Sequence, residues 1–328
     1  MPPKKASNQK NVGSAKVDQI KSIPSKEEST EADASENEPK ERSGTPSSSK
    51  KRKAQDGTGK EPPKVSRRSA RGAPSQNVDV VKLINFLLSP DSLQLCTPKD
   101  EFSEVEKNPQ LRTYSTNPFT PFEELVSALI LSRPIGHMLG VRSIRTIFNE
   151  PHNLNTPQAI RAKGKDGCRA VLDEARTQHR QKTAEELVLL ANAVCDEFNE
   201  AEQDQSLEKF RSKCEQDAEK EREMLKKKIK GLAKTGIDIF ARRIQGQWTE
   251  WYPFADERSM KAVEMLGLPG DIDGLVKTID EHWDQIKKDD MLGDKIDEVR
   301  RNVFVMVLER SVAAELEGNV DQVRKAVA

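Results

Sequence analysis

The chain has 328 residues, 33% of them charged and only 34% hydrophobic, with acidic and basic side chains in equal number. A composition this polar excludes a chain folded end to end around one core, so a substantial part is expected to be solvated. The zero net charge hides a division: residues 1–76 carry 17 Lys and Arg against 10 Asp and Glu, so a basic segment precedes a mildly acidic remainder.

In chain order, residues 1–76 are rich in Lys, Ser, Pro and Glu and poor in large apolar residues. They cannot bury enough surface to offset their ordering entropy, and disorder is expected. Two basic clusters lie within them, Lys50 to Lys53 (KKRK) and then Lys64, Arg67, Arg68 and Arg71. That spacing reads either as a bipartite import signal, implying an import receptor and a nuclear location, or as a solvated basic run. Order is expected from residue 77 to 328. The apolar density of residues 78–88 predicts a buried helix ended by Ser89-Pro90, and a polar connector spans 97–117.

Capping signals then open a series of helices: Thr120-Pro121 with Glu123, Thr156-Pro157, and Thr183 with Glu186. Helices are predicted over 121–131, 135–148, 157–162, 167–177 and 184–197. Residues 199–229 are almost wholly charged, with Leu207, Phe210, Cys214, Ala218 and Leu225 as a thin stripe at helical intervals. This reads as an exposed, charged helical insertion. Further helices are predicted over 257–266, 271–287, 294–316 and 320–327. Strand alternation is absent, so the fold class is all-α.

Between Lys230 and Pro269 the sequence becomes informative about function. Gly231 and Gly236 bracket a predicted turn, followed by Ile237, Phe240, Ala241 and Ile244 at helical spacing. Backbone N–H groups at such a turn, with the positive end of the next helix, suit a phosphate. Asp256 stands where a carboxylate caps the next helix and stays ionised. Trp248 and Trp251 flank this segment, either to stack on a base or to pack. His137, His152, His179 and His282 pair with no nucleophile. Cys96, Cys168, Cys195 and Cys214 show no CxxC pair and no His at ligand spacing, so isolated reduced thiols and no metal are expected. The longest apolar runs fall far short of the ~20 residues of a membrane span, and no signal peptide is read.

The order of Gly231, Gly236 and Asp256 resembles the helix-hairpin-helix DNA glycosylases of base-excision repair. Upstream, residues 121–160, with Ile130-Leu131-Ser132 and Thr156-Pro157, look like that family's opening helices. The resemblance implies two helical subdomains, 78–117 with 257–328 and 121–252, with a pocket between them. It implies a monomer acting on double-stranded DNA with a damaged base and needing no cofactor, with Asp256 as the catalytic residue. Gly231, Ala233, Lys234, Thr235 and Gly236 would grip DNA, and Arg133 would contact a groove or phosphate. Three positions depart from the family pattern. Ala233 replaces a usual Gly, Thr235 stands where lyase members carry the Schiff-base lysine, and Arg133-Pro134 replaces a polar wedge. The implied activity is therefore monofunctional. A DNA-binding or chromatin protein of the same fold without the chemistry, or a protein-interacting helical scaffold, remain the alternatives.

Overall fold

The computed structural model describes residues 78–116, 118–198, 204–288, 291 and 293–328. The expected disordered tail and its import clusters lie outside the described residues, as do positions 199–203 of the charged stretch.

Every regular element among the described residues is helical. Helix α1 (Val80–Leu88) is capped by the Asp79 carboxylate, which accepts from Lys82 N at 3.0 Å. It buries Leu83, Ile84 and Leu87 and stops where Ser89 turns extended before Pro90. The short α2 (Leu93–Cys96) follows. The connector read as polar throughout contains a helix, α3 (Lys99–Lys107). It packs by charge: Asp100, Glu101 and Glu104 converge on the buried Arg145 at 3.2, 3.4 and 2.7 Å.

Helix α4 (Pro121–Leu131) opens with the expected reciprocal cap between Thr120 and Glu123 and buries every residue from Pro121 to Ile130. A helix buried on every side belongs at the centre of a core, and its two glutamates are buried as ion pairs with Arg112 and Arg243. Against it pack α5 (His137–Phe148) and α7 (Arg180–Ala193), and α6 (Pro157–Glu174) packs on those two. The two short helices expected over 157–177 are joined as α6, broken only at Gly164 (φ 68°, ψ 175°). The expected cap at Thr183 is not formed. Helix α7 starts a turn earlier, after a left-handed His179, and the Thr183 hydroxyl donates back to His179 O at 3.1 Å.

The charged stretch is not an exposed extension. It folds into α8 (Glu208–Lys213) and α9 (Ala218–Lys228), and its thin stripe is core: Leu207, Phe210, Cys214 and Leu225 are buried. Phe210 meets Phe198 edge-on at 5.0 Å and stacks on Trp248 at 6.3 Å, while Trp248 and Trp251 both pack on Phe240 of α10 (Lys234–Ile244). Both tryptophans are therefore core residues rather than base-stacking surfaces.

The chain closes with α11 (Glu257–Leu266), α12 (Ile272–Glu281), α13 (Ile296–Leu316) and α14 (Val320–Ala326). The buried apolar residues form two clusters. One runs from Tyr114 through α4–α10 to Trp251; the other joins α1, Cys96 and α11–α14. Among the described residues no helix is long and apolar enough to cross a membrane.

Candidate functional site

Helices α9 and α10 form a hairpin joined by residues 229–233. Ile229 and Leu232 plug into the core, and Gly231 (φ +89°) makes the reversal between them. A Cβ at Gly231 would stand 2.5 Å from Glu186 Cδ and 2.8 Å from an Arg133 guanidinium nitrogen, so glycine is required by space as well as by dihedral. Gly236 does not bound the turn. It lies in the first turn of α10, where its missing Cβ lets Leu232 and Ser132 close in. Ala233 is extended (φ −93°, ψ −175°), a conformation open to any L-residue, so its departure from glycine costs the turn no backbone strain.

The hairpin presents an open helix N-terminus. Ala233 has no side chain with which to cap, and the first amide of α10 with an intrahelical acceptor is Ile237 N, bonded to Ala233 O at 3.0 Å. The N–H groups ahead of it are unsatisfied within the helix, at residues 233–235, which are exposed. Lys226, Lys227 and Lys228 in the last turn of α9, Lys230 in the turn and Lys234 at the start of α10 are all exposed. Lys228 is paired with Glu197 and Lys234 with Asp238, both at 2.7 Å. Arg133 does not project outward. It pairs with Glu186 at 2.5 Å and donates to Gly231 O at 3.4 Å, bracing the turn from behind.

On its other face α10 walls a cavity of about 930 Å³, closed opposite by α13 and by the segment around Tyr114 and Phe119. Thr235, Asp238 and Arg242 reach this cavity at helical spacing, opposite the stripe that enters the core. Asp256 is at its edge, 15% exposed. As expected it caps α11, accepting from Ser259 N at 3.0 Å, and it also accepts from the Ser259 hydroxyl at 2.8 Å and from Arg242 at 2.9 Å. Burial by itself would push this carboxyl up, but Arg242 and the Ser259 donors outweigh it and hold it below the ordinary aspartate range.

Behind Asp256 the charges alternate in a ladder. Arg242 pairs with Asp256 and Glu309; Arg243 pairs with Glu309 at 3.5 Å and with Glu124 at 2.7 Å, and sits 4.0 Å from the Tyr114 ring centre. Burial opposes ionisation of Glu309, yet the two guanidiniums keep it below its usual value. The ladder ties α4, α10, α11 and α13 together. Sequence reasoning missed Arg242, Arg243, Glu309, Glu124 and Ser259. A signal was present for Arg242, which stands four residues after Asp238 on the face of α10 opposite its apolar stripe.

No protein-family model matches the sequence, and no curated protein matches it. Among solved structures, the 3-methyladenine DNA glycosylase of H. pylori (MagIII), bound to 1,N6-ethenoadenine, is similar over 68% of this chain and 95% of its own. The identity is 15% and the TM-score 0.38.

Proposed function

We propose that this protein is a monofunctional DNA glycosylase-like protein of base-excision repair, which hydrolyses the bond between a damaged base and its sugar. The observation that carries the reading is an ionised carboxylate, Asp256, at the edge of a cavity large enough for a base, on the same structural frame as an open helix N-terminus in a lysine-rich hairpin. In this reading the N–H groups at 233–235 hold a backbone phosphate while the flipped nucleotide enters the cavity. As the bond from C1′ to the base nitrogen breaks, positive charge develops on the sugar and Asp256 stabilises it. Water adds its oxygen to C1′, and its proton passes to the departing base. A lysine Schiff base is disfavoured, because Thr235 occupies the matching position and the Lys234 ammonium is paired with Asp238.

The test is abasic-site formation by the purified protein on duplexes with defined lesions, in single turnover. Wild type is expected to release at least one lesion, and Asp256→Asn to lose release by orders of magnitude while duplex binding persists. Equal release by both would remove Asp256 from the mechanism. No release on any lesion would favour the non-catalytic DNA-binding reading, which the open hairpin supports without the cavity.

We further infer a nuclear location and import-receptor binding from the basic clusters of residues 50–71. Deleting residues 1–72 should abolish nuclear accumulation and flatten the salt dependence of DNA binding; unchanged localisation would overturn the import part.

A further inference from the structure

Four arginines line the cavity, and three are neutralised, Arg258 by Glu315 at 2.7 Å. Arg242 and Arg243 are each held by two carboxylates. Arg310, on α13 directly after Glu309, also lines the cavity and is 7% exposed, yet no ion pair among the described residues includes it. Its Nε reaches only the thioether of Met306, at 3.4 Å, and one terminal nitrogen is buried with no partner at all. The carboxylates whose charge reaches it, Glu309 and Glu101, are held by other arginines. Burial pushes the Cys96 thiol up to about 11, so it stays protonated, and Met306 and Ala313 are apolar. Asp256, Glu309 and Glu124 are taken up by Arg242 and Arg243.

A buried guanidinium without an acceptor is costly, and a well-packed apolar side chain of similar volume would ordinarily be as stable or more so. Arg310 stands with Glu309 and Ser311 between the apolar segments 303–308 and 312–314 of α13. Burial itself works against its charge, lowering the guanidinium from its usual value. An unpaid charge of this kind, set in a ligand-sized cavity, marks a position whose acceptor arrives with the ligand.

We propose that Arg310 determines which base the cavity accepts: an uncharged nucleobase presenting a carbonyl edge, and not a cationic N-alkylated base. The proposal rests on the base-excision reading, in that it takes the cavity to be the base pocket. A carbonyl oxygen with an adjacent ring acceptor meets the planar N–H fork and satisfies it. A cationic base stacked against that guanidinium would set a second positive charge beside Arg310 in a poorly solvated space.

The experiment is calorimetric titration of the full chain with inosine (uncharged, with a carbonyl edge), with 1-methyladenosine held cationic at mildly acidic pH, and with inorganic phosphate. Wild type should bind inosine in clear preference to both others. Arg310→Met should lose about tenfold or more of the inosine affinity, lose the discrimination against 1-methyladenosine, and melt no lower than wild type when ligand-free. Should the methionine variant fail to fold, Arg310→Lys keeps the charge but not the fork, so it should weaken inosine severalfold while still excluding 1-methyladenosine. Unchanged inosine affinity in a folded variant, equal binding of both nucleosides by wild type, preference for phosphate, or no binding of inosine would each overturn the proposal. Arg310-dependent inosine binding without base release from any duplex would leave it standing and remove the catalytic reading. Base release confined to duplexes with cationic lesions would do the reverse.

Discussion

Replacing Asp256 by Asn preserves an oxygen for the Ser259 N–H, because Asn caps helices about as well as Asp. What it removes is the charge opposite Arg242. The variant should therefore lose stability as well as base release, by about 1–3 kcal/mol, since Arg242 keeps Glu309 but not its second partner. The sign of the pH dependence follows from the lowered folded value. The contribution of Asp256 is present in full above the ordinary aspartate range and disappears as pH falls through its lower folded value. Chemical denaturation of both proteins between neutral and strongly acid pH should show their difference closing in acid. Glu221 behaves oppositely. It is fully buried against Trp251 Nε1, and burial raises it to about 7. The folded state then binds a proton the unfolded state has released, so stability declines from the ordinary glutamate range up to about pH 7. Glu221→Gln keeps an acceptor for Trp251 and should flatten that decline; denaturation curves that fall equally steeply for both proteins would contradict the assignment.

The hairpin allows a test at the level of the element. Ala233→Asp supplies the missing cap of α10, which should raise stability by about 1 kcal/mol. The same carboxylate occupies the exposed N–H groups and repels phosphate, so duplex affinity should fall about tenfold or more. A stabilised variant with unchanged affinity would mean that the hairpin does not hold the backbone. Gly231→Val is a poorer probe, because its side chain would collide with the Arg133–Glu186 pair behind the turn. Helix α4 was legible in the sequence to the residue, since Thr120, Pro121 and Glu123 fix its start by local chemistry. Helix α3 was not, because it is held by acid side chains on Arg145 and shows no apolar period. Leu207, Phe210 and Leu225 were visible as a stripe, but what covers Phe210 is decided by Phe198 and Trp248, which lie outside that stretch on either side. Asp256 and the Gly231 turn could be read for the same reason as α4. The ladder behind Asp256 could not, because its partners come from four helices.

Across the whole molecule, that ladder should matter far more than the ion pairs on the surface. Glu309→Ala removes one of the two carboxylates from each of two buried guanidiniums and should cost about 3–5 kcal/mol, whereas breaking the solvent-facing Arg258–Glu315 pair should cost about 1 kcal/mol or less. Urea titrations of the two variants would rank them; similar losses would mean that the ladder is not what joins α10 to α13.

Helix α10 starts at the hairpin and carries Arg242 two turns later. At 1.5 Å per residue the open amides and the guanidinium that orients Asp256 are separated by roughly 12 Å along one rigid rod. The helix therefore acts as a ruler: wherever the turn seats a phosphate, the carboxylate is set at a fixed offset along the strand. A one-residue insertion within α10 would swing Arg242 by about 100° around the helix axis, putting grip and carboxylate out of phase even if each kept its own chemistry.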